Sequence, residues 1–232
     1  MMQQPGANAH IAAHIALVRA RIAVACERVG RSASDVTLIA VSKTVSSAAI
    51  SEAVTAGQID FGENRLQEAA GKVAQLPALR WHLIGSLQTN KVRSALSLFQ
   101  YIHSVDRPAL VEALARNAGP ACPKLLMQVN VSGEESKHGV DPAAAGALAR
   151  QMSAAGLPLV GLMTIAPQTD DREAVRPVFR RLREISYEIA DLGLAGVSMD
   201  CLSMGMSADF AVAVEEGATM VRVGGAIFGP RL

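Results

Sequence analysis

Two stretches of this sequence place reactive side chains where an apolar core is expected. In VRVGGAIFG (221–229), Arg222 stands between two valines and is followed at once by Gly224 and Gly225. A strand interior rarely holds a guanidinium without a partner, and paired glycines weaken a strand but let a ligand approach the backbone N–H groups closely. In SMGMSADF (203–210), Ser207 is placed to cap a helix starting near Ala208, and a capped helix N-terminus attracts an anion. Together these features suit a phosphate group. The ordinary alternatives are a strand bend at the glycines and a plain helix cap at Ser207.

Lys43 is the second reactive group. Of the five lysines, Lys72 and Lys91 fall on helical patterns, Lys124 begins a strand and Lys137 sits in the polar loop SGEESKHG. Only Lys43 ends an apolar strand, TLIAVSK (37–43). A desolvated amine there gives up its proton readily and can form a Schiff base; pairing with an acid such as Glu63 is the alternative. A Schiff-base lysine beside a phosphate pocket suggests pyridoxal 5′-phosphate. Arg222 facing the pyridine nitrogen would donate to it and oppose its protonation, since a guanidinium has no acceptor. That weakens the cofactor as an electron sink and argues against aminotransferase chemistry. A structural pair between Arg222 and a carboxylate inside the core is the competing explanation.

The elements that must position these residues alternate along the chain. Residues 11–29 carry Ile11, Ile15, Val18, Ile22, Cys26 and Val29 at helical spacing, and 171–192 repeats the pattern. Strand-like runs fall at 37–43, 59–64, 80–85, 101–105, 124–131, 159–165, 201–205 and 219–229. SSAAISEAVTAG reads as a helix opened by Ser46 or Ser47 and closed by Gly57. Strands apolar on both faces, alternating with helices, imply a covered parallel sheet. Eight of them close naturally into a (β/α)8 TIM barrel with an additional N-terminal helix. The alternative, an open doubly wound sheet, more often carries a glycine-rich turn after its first strand, where this chain has Lys43–Thr44. We read one domain over 1–232, the helix at about 8–29 and the barrel at about 37–232. In such barrels the site lies at the C-terminal strand ends, which here are Lys43, Glu63–Asn64, Gly85–Ser86, Asn130, Thr164, Met204–Ser207 and Arg222–Gly225.

Composition narrows the classes further. A formal charge of +1 gives no sign of a nucleic-acid partner, and no apolar run is long enough to span a membrane. Three widely spaced cysteines, Cys26, Cys122 and Cys201, read as buried reduced thiols of a cytoplasmic protein.

At these residues the sequence closely resembles the pyridoxal phosphate homeostasis protein family, relatives of the N-terminal barrel of alanine racemase. The matching stretches include LIAVSKT (38–44), DFGEN (60–64), WHLIGSLQTNK (81–91), HSVD (103–106), QVNVSGEESKHGV (128–140), GLMTI (161–165), LSMGMSADF (202–210) and TMVRVGGAIFG (219–229). The resemblance implies a barrel that binds pyridoxal 5′-phosphate without established enzymatic activity and buffers it or delivers it to apo-enzymes. It implies that Lys43 carries the Schiff base, Asn64 lies beside the ring, Arg222 faces its nitrogen, and Ser207, Gly224 and Gly225 hold the phosphate. Two positions depart from the family's pattern. Gly225 stands where a Thr or Ser is usual, and Arg65–Leu66 replace an aromatic and a valine.

Two enzymatic readings compete with the carrier. A racemase needs a base on each face of the substrate carbon; barrel-type racemases take the second from a tyrosine delivered by a partner subunit and an additional C-terminal domain. This sequence ends at Leu232, directly after the last strand, and its tyrosines, Tyr101 and Tyr187, fall away from the expected site. Without that domain a monomer is expected. A Schiff-base aldolase acting on a sugar phosphate would use Lys43 and the anion pocket but leave Arg222 and Asn64 idle. His82 and His103 read as satisfied core histidines, and Lys137 as either a solvated lysine or a second amine in cofactor transfer.

Overall fold

The computed structural model describes residues 8–134, 137–169 and 171–229. Eight strands, β1 (Thr37–Val41), β2 (Asp60–Glu63), β3 (Arg80–Leu83), β4 (Tyr101–Val105), β5 (Lys124–Gln128), β6 (Leu159–Met163), β7 (Val197–Ser203) and β8 (Met220–Val223), close into a parallel barrel in chain order. α1 (Asn8–Arg28) precedes them. Each strand is followed by a helix: α2 (Ser47–Thr55), α3 (Leu66–Gln75), α4 (Val92–Leu98), α5 (Pro108–Asn117), α6 (Ala145–Ala154), α7 (Arg176–Ala190), α8 (Phe210–Glu215) and α9 (Gly225–Phe228). This is the expected (β/α)8 barrel with an extra N-terminal helix. β1 pairs with both β2 and β8, which excludes the open sheet.

Period-two alternation sorts each strand between two cores. In β3, Trp81 packs on Phe61 with ring centroids 5.6 Å apart and donates to the Leu76 carbonyl at the end of α3, while His82 turns into the barrel. Ile39, Leu126, Met163 and Met220 fill the interior from four strands. The larger core lies between barrel and helices. α1 buries Ile15, Val18, Ile22, Ala25 and Cys26 and packs on α2, α8 and α9, so it braces the helices around the β8–β1 closure. Its His14 Nδ1 donates to the Ile227 carbonyl of α9 at 2.9 Å.

Several boundaries differ from the sequence reading. β8 stops at Val223, and residues 225–228, read as strand, form a short helix. β7 begins at Val197, four positions early, because VSMD has no apolar run to reveal it. The long helix starts at Arg176 after a 3-10 turn over Glu173–Val175. Ser46, rather than Ser47, caps α2, accepting from the Ala49 N–H. Cys26 is buried as expected, but Cys122 and Cys201 are half-buried. Among the described residues no helix is long and apolar enough to cross a membrane.

His82 and His103 are satisfied core histidines: both are fully buried, and their rings meet through Nδ1 and Nε2 at 3.0 Å. Burial holds both pKa values below the ordinary 6.5, that of His103 well below. The unfolded chain therefore binds more protons than the fold once pH drops through the unfolded value. The contribution to stability is full above about pH 6.5 and is lost below it. Acidification from about pH 7.5 to 5.5 is expected to lower the thermal midpoint, and His103→Gln to flatten that decline. Melting curves at stepped pH check this; an equally steep decline in the variant would contradict it.

Candidate cofactor site

The six site residues proposed from sequence, Lys43, Asn64, Ser207, Arg222, Gly224 and Gly225, all line one cavity of about 420 Å³ at the C-terminal mouth of the barrel. Alternation brings them there. The inward row of β1 runs Ile39, Val41 and, past the strand end, Lys43; that of β8 runs Met220, Arg222 and then Gly224. Lys43 lies two residues beyond β1 rather than at its end, because pairing is continued only by the Ser42 N–H on the Gly62 carbonyl.

The turn carrying Lys43 is held from below by a buried ionic cluster. Lys72, on α3, donates to the Ser42 carbonyl at 2.6 Å, to Glu63 at 2.8 Å and to Glu68 at 2.7 Å. Glu63, fully buried, also accepts from Ser42 Oγ at 2.6 Å, and Glu68 accepts from the Thr44 N–H at 2.5 Å. Thr44 adopts φ +65°, a left-handed conformation that costs a threonine roughly 1–3 kcal/mol. The cluster grips Ser42 and Thr44 and so fixes the backbone on both sides of Lys43. Glu63, considered from sequence as a partner for Lys43, forms its ion pair with Lys72.

Arg222 is held by oxygens of neutral groups. Nη1 donates to the Ser203 carbonyl at 2.7 Å and to Ser203 Oγ at 2.6 Å, and Nη2 donates to the Thr164 carbonyl at 2.7 Å. These bonds use three of its five N–H donors. Burial pushes the guanidinium down to about 10, against the opposing charge of Asp209, so it remains a cation at neutral pH. The expected alternative, a hydrogen-bonded pair with a carboxylate, is not how it is satisfied.

The end of the cavity expected from sequence to take a phosphate is built differently from that expectation. Ser207 does not cap α8, which starts at Phe210 with Asp209 as its N-cap. Its hydroxyl instead faces the Ala226 N–H in the first turn of α9, at 3.5 Å. The serine after β7 thus meets the helix after β8, the corner where barrels of this class often bind phosphate. Gly224 is the N-cap of α9, and the opening N–H groups of a helix lack intrahelical partners. A Cβ on Gly225 would meet nothing within 4 Å, so no crowding demands glycine there.

Asn64 reaches the cavity because Gly85 lets it: a Cβ on Gly85 would lie 2.3 Å from the Asn64 carbonyl oxygen. Arg65, at the N-cap of α3, lines a neighbouring cavity of about 790 Å³ that shares Asn64. Lys137, 4.0 Å from Glu134, lines neither cavity. Tyr101 stacks on His82 at 4.5 Å and Tyr187 is exposed on α7, both away from the mouth. Sequence reasoning missed Lys72, Glu68, Asp209 and Ser203. The i,i+4 spacing of Glu68 and Lys72 was a readable signal; the cross-barrel contact of Ser203 had none.

A closed parallel barrel with a lysine after β1, an arginine on β8 and a short helix beyond it is the barrel class found at the N-terminus of alanine racemase. The family model "Alanine racemase, N-terminal domain" matches residues 15–231. Within that class the chain belongs to the pyridoxal phosphate homeostasis protein family. It is 47% identical over 226 residues to the Pseudomonas aeruginosa protein of that name, covering 95% of this chain and 96% of the relative. To the Escherichia coli K12 protein it is 41% identical over 232 residues, covering 95% and 97%. The structure of PipY of Synechococcus elongatus with PLP bound superposes with a TM-score of 0.82 at 42% identity, covering 94% of this chain and all of that one. Alanine racemase from Corynebacterium glutamicum, 16% identical at a TM-score of 0.69, shares the fold.

Two outcomes follow from this geometry. Lys72→Met strands a buried carboxylate and is expected to cost about 3–5 kcal/mol in guanidinium unfolding, most of it recovered by adding Glu63→Leu. Gly225→Thr places a hydroxyl at the mouth of α9; a gain of about 1 kcal/mol corresponds to roughly fivefold tighter pyridoxal 5′-phosphate binding in equilibrium titration. An unchanged or weaker affinity would remove Gly225 from the anion site.

Proposed function

We propose that this protein binds pyridoxal 5′-phosphate at the β1–β8 mouth and buffers or delivers it, without turning over an amino-acid substrate. One observation carries the reading: a single cavity brings together a strand-end amine, a guanidinium with donors to spare and the opening N–H groups of a helix. An aldehyde, a ring nitrogen and a phosphate need those three partners. The residues fit the cofactor in size as well, since about 420 Å³ lies within the range of small-ligand pockets.

In this reading Lys43 supplies the amine that takes the aldehyde, and Asn64 flanks the ring. Ser207 with the backbone of Gly224 and Gly225 holds the phosphate. Bound there, the cofactor supplies a conjugated electron sink, and Arg222 weakens it by donating to the ring nitrogen instead of protonating it. Among the described residues the titratable side chains that line the cavity with Lys43 are Arg172, Asp209 and Arg222, and Asp209 is engaged at the N-cap of α8, where it accepts from the Met206 N–H. The relatives' names and the PLP-bound PipY structure support the same reading. It includes action as a cytoplasmic monomer with reduced thiols, and apo-enzymes as recipients.

The test is an absorbance spectrum of wild type and Lys43→Ala after incubation with pyridoxal 5′-phosphate and removal of the excess. A visible band in wild type that is lost in the variant is expected, together with reactivation of a pyridoxal-phosphate-dependent apo-enzyme by the loaded wild type. Exchange of α-deuterium from a labelled amino acid at enzymatic rates would instead favour the racemase. Borohydride trapping of a sugar phosphate on Lys43, with no band, would favour the aldolase.

A further inference from the structure

An unbroken line of polar side chains crosses the barrel from the cofactor mouth to its opposite end. Arg222 Nη1 donates to Ser203 Oγ at 2.6 Å, and that oxygen lies 2.9 Å from His103 Nδ1. His103 Nε2 lies 3.0 Å from His82 Nδ1, and His82 Nε2 lies 3.0 Å from Asp60 Oδ1. Ser203, His103 and His82 are fully buried. The second oxygen of Asp60 accepts from Arg80 at 2.8 Å, and both residues line a separate cavity of about 380 Å³ beneath α1.

The direction of this line is set from its far end. An ionised carboxylate only accepts, and a neutral imidazole carries one N–H. Asp60 therefore requires the hydrogen of His82 on Nε2, which makes His82 Nδ1 an acceptor. His103 must then donate from Nε2 and accept at Nδ1, where the Ser203 hydroxyl donates. That leaves the lone pairs of Ser203 turned to Arg222. Burial keeps both rings neutral, and the hydrogen bond from His82 holds the Asp60 carboxyl ionised against its own desolvation.

We infer that Asp60, at the opposite end of the barrel, is a positioning residue for the cofactor: through the tautomers of His82 and His103 it presents Ser203 as the acceptor that holds Arg222 at the ring nitrogen. The inference rests on the proposed pyridoxal 5′-phosphate site. Asp60→Asn breaks the logic without changing the shape. An amide can donate to His82 Nε2, after which both rings reverse and Ser203 receives hydrogens from His103 and Arg222 together. Its own hydroxyl then loses its acceptor, and Arg222 has to share the Ser203 oxygen with His103 while it keeps its bonds to the Ser203 and Thr164 carbonyls.

The experiment pairs nitrogen-15 NMR of histidine-labelled protein, loaded with pyridoxal 5′-phosphate, with equilibrium titration of the cofactor. Wild type is expected to show both histidines protonated on Nε2. Asp60→Asn is expected to move one or both to Nδ1 and to raise the cofactor Kd at least fivefold, roughly 1 kcal/mol. Competition by inorganic phosphate, which reads only the α9 end, stays as in wild type. If Asp60→Asn does not fold, Ser203→Ala cuts the line next to Arg222 and is expected to weaken the cofactor equally while the tautomers persist. A folded Asp60→Asn or Ser203→Ala protein with wild-type cofactor affinity overturns the inference. A wild type that binds inorganic phosphate but no pyridoxal 5′-phosphate overturns the cofactor reading itself.

Discussion

The hydrogen-bonded seam between β1 and β8 is the constraint on which the site depends. Their register sets Ile39 opposite Arg222 and Ala40 opposite Val223, so the ends of the first and last strands emerge side by side. Lys43 follows one and Gly224 the other. Opening that seam would separate the amine from the guanidinium and from α9 at once, and no local interaction could restore their distance. The extra helix α1 serves this seam. It lies against α2, α8 and α9, and His14 ties it to the carbonyl end of the short helix whose start faces the cavity.

Two charged groups are buried around the site by different means. Lys72 is compensated by charge: Glu63 and Glu68 lie on either side of it, and the cluster spends its hydrogen bonds on the backbone around Lys43. Arg222 is compensated mainly by oriented dipoles, the Ser203 and Thr164 carbonyls and the Ser203 hydroxyl. A direct carboxylate bond would neutralise the guanidinium and occupy its donors. Carbonyls leave it cationic with N–H groups still to offer, which suits the ligand contact proposed for it. The strain at Thr44 belongs to the same economy, since only a surrounding cage can hold a threonine at positive φ.

Much of this was legible in the residues themselves. Eight apolar runs alternating with helical patterns determine a covered parallel sheet, because strands buried on both faces cannot alternate polar and apolar. The position of Lys43 after an apolar strand, and of Arg222 and paired glycines in another, marks the mouth without any contact being known. Period two then predicts which side chains turn inward, and His82, His103, Ser203 and Arg222 all obey it. The last strand was overread for a physical reason. VRVGGAIFG is apolar throughout, and apolar runs of that length do not distinguish a strand from a strand followed by one turn of buried helix.

What only the tertiary structure decided were the partners. Local sequence offered Ser207 to the helix immediately after it, yet the fold delivers its hydroxyl to Ala226, nineteen residues on. It offered Glu63 to Lys43 by proximity, yet the carboxylate turns outward to Lys72 because residues 43 and 63 leave their strands on opposite sides of the sheet surface. The line from Asp60 to Arg222 joins five strands whose members are up to a hundred residues apart between neighbours. Such pairings depend on strand order and register, which arise from closing the whole barrel. The sequence alone determined that a lysine, a guanidinium and paired glycines would stand at one rim; the closed barrel decided which groups hold them there.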